Sequence, residues 1–109
     1  MCIRDSRTNR WDAYPHSEPI DPFRQRVVAA IDQIAADSVG RRVVVACHGG
    51  VINTYLSHVF GADHDRVVSI HHTAITTVRA MKERRGVLGV NDFHHVLAIQ
   101  SELNPFNAF

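Results

Sequence analysis

The segment from Val43 to Ile52, VVVACHGGVI, holds the residues best suited to chemistry. His48 follows a short apolar run and precedes Gly49 and Gly50. An imidazole can donate or accept a proton near neutral pH, and glycine lets the backbone come close to a ligand. A helix starting after the glycines would present unpaired N–H groups and its positive dipole end to an anion. The pattern predicts a phosphate or carboxylate site, although the same letters also suit a plain tight turn.

The sequence fits three other chemistries less well. A cysteine phosphatase needs an arginine after Cys47 and five further residues, and Asn53 stands there. A nucleotide P-loop needs Gly-Lys-Ser/Thr, but two apolar residues follow Gly50. The adjacent pairs His71–His72 and His94–His95 could suggest a metal, yet neighbours in an extended strand face opposite sides. Because no HExxH or CxxC spacing accompanies them, the sequence favours no metal site.

The segment before the motif predicts a helix that leads into a buried strand. Asp21-Pro22 is typical of a helix start, with Asp as N-cap and Pro in the first turn. Apolar residues then recur with a 3.6-residue period, which predicts a helix from about 22 to 37 with Gly40 as its stop. The run from Val43 to Cys47 is continuous and mostly β-branched, which is typical of a strand buried on both faces.

The remaining elements place the motif in an α/β unit. An amphipathic helix is expected from about 50 to 60, ending at Gly61. The segment Thr73 to Met81 is rich in Thr, Ile and Val and predicts a strand. A charged turn over 82–86 and a hairpin partner over Val87 to Val90 follow. Helix, buried strand, glycine turn and helix together indicate an α/β fold.

Composition sets the broad class. The chain has 109 residues, 45% hydrophobic and 21% charged, which is ordinary for one globular domain or less. A net charge of +1 argues against nucleic acid or a membrane surface as the main partner. The longest apolar runs are five residues, so no transmembrane helix is expected. No secretory signal stands at the N-terminus, and two cysteines form no disulfide framework, so a cytoplasmic protein is expected.

A valine-rich strand, His-Gly-Gly-Val-Ile and an amphipathic helix resemble the C-terminal signature of the histidine phosphatase superfamily. This family includes phosphoglycerate mutases and similar broad-specificity phosphatases. Three other segments agree in order and spacing with the family: Phe23 to Val27, Ala74 to Thr76, and Asn91 to Val96. The resemblance implies a three-layer α/β/α fold with a mostly parallel sheet, of which this chain would be the C-terminal half.

The resemblance also implies a mechanism that needs neither metal nor cofactor. A histidine in an Arg-His-Gly motif forms a phosphohistidine, and a second histidine, matching His48, stabilises the transferring phosphoryl group. Gly49 would offer a backbone donor. Glu18 follows Ser17 five residues before Phe23, where many members of the family have Gly-Glu-Ser, and would line the pocket, although an exposed loop carboxylate fits equally well. Arg-His-Gly occurs nowhere in the 109 residues.

The expected function is therefore that of a phosphomonoester hydrolase acting on a small phosphorylated substrate. A phosphoglycerate mutase-type phosphotransferase and a non-catalytic anion-binding module remain as alternatives. Residues 1–6 resemble a prefix seen on open reading frames translated from assembled environmental DNA, and they are expected not to be native. Residues 7–109 are expected to be the C-terminal part of one histidine phosphatase domain. Without its nucleophile, the isolated chain is expected to be inactive.

Overall fold

A computed structural model of the chain describes residues 20 to 103. The chain divides into two compact units, one ending at Ser69 and the other beginning at Ile70. The described residues form three helices and one two-stranded antiparallel sheet, which makes the fold mixed α/β. No helix in this part of the chain combines the length and apolar character needed to cross a bilayer.

The first unit begins with helix α1, Ile20–Asp37. The helix starts two residues before the predicted start, so Asp21 lies in its first turn and the N-cap prediction is wrong. Pro22 is tolerated there because first-turn N–H groups have no partner within a helix. The chain turns after Asp37, and Gly40 adopts the left-handed conformation with φ +75°, as its expected role as a stop requires.

Helix α2, Gly49–Phe60, packs against α1 and carries most of the first unit's core. Leu56 is 1% exposed, and Val27 and Tyr55 are also buried. The Tyr55 hydroxyl donates a 2.7 Å hydrogen bond to Asp32 Oδ1, which joins the two helices. The predicted end of α2 at Gly61 is confirmed: its φ is +70°, and its N–H bonds back to the helix.

The segment from Val43 to Cys47 is not a strand, and its predicted burial is wrong. Residues 41–48 are all exposed, and Val44 is 95% exposed. No backbone hydrogen bond among the described residues involves 42–47. A strand needs a partner strand that satisfies its N–H and C=O groups. Among residues 20–103 the sheet has two strands, both after residue 74, and the segment from Val43 to Cys47 is not one of them. The expected three-layer parallel sheet is therefore not seen in that part of the chain.

The second unit contains a β-hairpin and helix α3. Strands β1, Ile75–Ala80, and β2, Arg85–Asp92, pair antiparallel with Val78 opposite Val87, which confirms the predicted hairpin. The register shifts between Ile75 and Val78. Helix α3, His94–Leu103, was not expected from the sequence. Asp92 Oδ1 accepts a hydrogen bond from the His94 N–H at 3.1 Å, which satisfies one unpaired donor at the start of α3.

Candidate functional site

His48 lies at the junction between the exposed segment and α2. It is the N-cap residue, with extended backbone at φ −86° and ψ 160°. Its carbonyl accepts hydrogen bonds from the N–H groups of Val51 at 3.0 Å and Ile52 at 3.3 Å. Its side chain is exposed and does not cap the helix. The imidazole therefore stands beside the helix end without being used to hold that end together.

Gly49 and Gly50 form the start of α2, one residue earlier than the sequence predicted. The first N–H groups of a helix have no partner within it and carry the positive end of the helix dipole. No acidic residue lies in this first turn to compete for them. The arrangement places an exposed imidazole next to backbone donors that have no partner among residues 20–103, and both can hydrogen-bond an anionic oxygen.

Asn53 anchors this helix start and was missed by the sequence analysis as a site residue. It is 5% exposed. Its Nδ2 donates to the Gly49 carbonyl at 3.2 Å, and its Oδ1 accepts from the N–H groups of Val67 at 2.9 Å and Val68 at 2.8 Å. In the sequence, Asn53 is marked only as a polar residue on an otherwise apolar face of the helix. That pattern does not predict which backbone groups its side chain binds.

The loop that follows α2 is fixed by further side-chain contacts. The Ser57 hydroxyl, which is fully buried, donates to the His64 carbonyl. Arg24 on α1 donates from Nη2 to the Ala62 carbonyl at 3.0 Å. Asp65 is 5% exposed in the same loop. These contacts give Asn53 an ordered stretch of loop backbone to bind.

Cys47 precedes His48 and is an exposed free thiol, so its expected burial at a strand end is wrong. Neighbouring atoms still shield part of the sulfur, and this loss of solvation raises the pKa of the Cys47 thiol above its ordinary value of 9.0. A raised pKa keeps the group protonated near neutral pH. Cys47 is thus poorly suited to act as a nucleophile.

The two histidine pairs belong to the second unit, which begins at Ile70. Glu18 is outside the described residues. Neither histidine pair lies in a strand: His71 and His72 precede β1, and His94 and His95 open α3. The described residues contain no group of three His, Cys, Asp or Glu side chains placed to hold a metal ion.

Second-unit histidines have local partners instead. The His71 ring lies 4.3 Å from the Phe93 ring, measured between centroids, and the His71 N–H donates to Asn91 Oδ1 at 2.7 Å. His95 Nε2 is 3.4 Å from the Thr73 hydroxyl. These contacts hold the ends of the hairpin together within the second unit.

The comparison with known families identifies the class of this protein. The model of the histidine phosphatase superfamily, branch 1, matches residues 3–93 of the 109. The match covers more than half of the chain, so the chain belongs to this superfamily. The comparisons with curated proteins and with solved structures gave no match.

Proposed function

We propose that this chain supplies the second-histidine part of a phosphomonoesterase active site. The observation that carries the proposal is the position of His48, exposed at the N-cap of α2 and beside the donors of Gly49 and Gly50. Membership of the histidine phosphatase superfamily supports a phosphoryl-transfer role for that position. The expected substrate is a small phosphorylated molecule rather than nucleic acid or a membrane.

In the proposed reaction, a histidine from an Arg-His-Gly segment attacks phosphorus and the bond to the leaving oxygen breaks. A carboxylic acid gives its proton to that oxygen, and water then releases phosphate from the phosphohistidine. His48 and the backbone N–H groups at the start of α2 hold the phosphoryl oxygens and stabilise their charge in the transition state. Glu18 is proposed to line the same pocket.

In this proposal the nucleophile comes from a part of the protein outside these 109 residues, which contain no Arg-His-Gly. We propose that the same missing part supplies the strands of a parallel, three-layer sheet, with residues 7–109 as its C-terminal portion. The exposed segment from Val43 to Cys47, which pairs with no strand among residues 20–103, supports this proposal, since it has the composition of a central strand.

An aryl phosphate assay tests this proposal in two forms of the protein. The 109-residue chain is expected to give the buffer rate, and His48→Ala is expected to change nothing. A form extended upstream to include Arg-His-Gly is expected to turn over and to lose most of its activity on His48→Ala. Turnover by the short chain that survives His48→Ala would contradict the role assigned to His48.

The same extended form separates hydrolysis from the two alternatives. Release of inorganic phosphate identifies a hydrolase, whereas transfer to a second phosphoglycerate would identify a mutase. A complete upstream sequence without Arg-His-Gly, together with phosphate binding and no turnover, would identify a non-catalytic anion-binding module.

A further inference from the structure

Asn53 joins two parts of the first unit that are distant in sequence. Its buried amide bonds to Gly49 on one side and to the loop backbone at Val67 and Val68 on the other. The two backbone N–H donors face one side-chain atom, and only the amide oxygen can accept both bonds. The NH₂ group must then face the Gly49 carbonyl.

The Gly49 carbonyl belongs to the same rigid peptide plane as the Gly50 N–H. A trans peptide is flat, and its C=O and N–H point in opposite directions. Asn53 Nδ2 donates to the Gly49 oxygen from the next turn of α2, so this bond adds to the backbone hydrogen bonding that keeps the oxygen facing along the helix. The Gly50 N–H, which points the opposite way in the same peptide, then faces the N-terminal end of α2, next to His48.

This restraint is needed because the start of α2 is weakly held. Two successive glycines lose more conformational entropy on ordering than other residues, and the N-cap side chain makes no bond to the first turn. The loop contacts of Asn53 give the helix start an anchor outside the helix itself.

We propose that Asn53 is a positioning residue for the anion site, which aims the Gly50 N–H at the ligand by holding the Gly49–Gly50 peptide. This inference rests on the proposed function, because it assigns a purpose to donors that the proposal places on phosphate. Asn53 itself is buried and is given no contact with the substrate in this proposal.

Sulfate binding to the full chain, followed by NMR, tests the inference. Asn53→Leu keeps the side-chain shape and removes all three hydrogen bonds. We expect the sulfate dissociation constant to rise roughly fivefold to tenfold. This change corresponds to losing about 1 kcal/mol from the hydrogen bond between the Gly50 N–H and sulfate, because that N–H is no longer held in place. Even without sulfate, the Gly50 amide resonance should shift, and the Val67 and Val68 amides should exchange faster with solvent.

Two further variants separate positioning from general loss of structure. Thr54→Val changes the next buried residue of α2, and it should leave sulfate affinity and the Gly50 resonance unchanged. Asn53→Asp has no proton to donate to Gly49 at neutral pH, but its protonated carboxyl is a close mimic of the amide. Its affinity relative to the unsubstituted chain should recover as the pH falls from about 7 to about 4, where sulfate keeps its charge.

The outcomes separate this inference from the proposed function. Unchanged sulfate affinity and an unchanged Gly50 resonance in Asn53→Leu would overturn the role of Asn53 alone. If Asn53→Leu does not fold, absence of the acid recovery in Asn53→Asp would overturn it in the same way. Failure of the unsubstituted chain to bind sulfate at Gly49 and Gly50 would overturn the proposed function and the role of Asn53 with it.

Discussion

Replacing Val44 with lysine should separate folding stability from self-association. Val44 is 95% exposed in a segment without regular secondary structure, whose backbone makes no hydrogen bond among the described residues. The segment from Val43 to Cys47 contains no charge and no proline to discourage pairing with another strand. We therefore expect copies of the chain to associate through this segment.

The size of the effect follows from the exposure of the side chain. An exposed residue contributes little to folding, so Val44→Lys should change the free energy of unfolding by less than about 0.5 kcal/mol. Pairing between two copies would bury two Val44 side chains, each worth about 1.5 kcal/mol. Losing about 3 kcal/mol should weaken dimerisation about a hundredfold.

Sedimentation equilibrium and urea melts at several protein concentrations measure both quantities. The control is Val39→Lys, which adds the same charge at a residue that is 83% exposed but lies in the turn after α1. The control should associate like the unsubstituted chain. A monodisperse unsubstituted monomer with a concentration-independent transition would refute the reasoning, because these residues would then need no partner strand.

Two other changes test the packing and electrostatics of the first unit. Leu56→Ala removes a side chain that is 1% exposed and should lower the free energy of unfolding by about 2–5 kcal/mol in a urea titration; a loss as small as that of an exposed valine would contradict the assigned core. The hydrogen bond with His64 lowers the pKa of Asp63 below 3.8. Its stabilising effect is therefore present above that pH and is lost as the pH falls through the folded-state pKa. Asp63→Asn should therefore lower stability slightly at neutral pH, leave stability in strong acid unchanged, and so reduce the acid-side slope of stability. An unaltered acid-side slope would contradict that interaction.

Local sequence patterns predict the elements that depend on contacts between residues close together in the chain. The end of α2 at Gly61 follows from the residue that a left-handed cap requires, and the hairpin follows from two β-rich runs around a charged turn. The segment from Val43 to Cys47 shows where such patterns fail. Its composition suits a central strand, but a strand is defined by partners, and composition does not supply them.

The site was predictable only in part for the same reason. His48 and its glycines are contiguous, so their spacing indicated an anion site before any fold was known. Asn53 is anchored by backbone N–H groups fourteen and fifteen residues away, a contact that no local period encodes. Helix α3 was missed because its histidine-rich start, after Asp92, has a weak apolar pattern.

A phosphate titration followed at the histidine rings tests the central claim most directly. The account predicts that the largest shifts fall on the His48 ring and on the Gly49 and Gly50 amides. It also predicts that His48→Ala weakens phosphate binding at these amides. The account would be contradicted if the largest shifts fell instead on the second-unit histidines, His71, His72, His94 and His95.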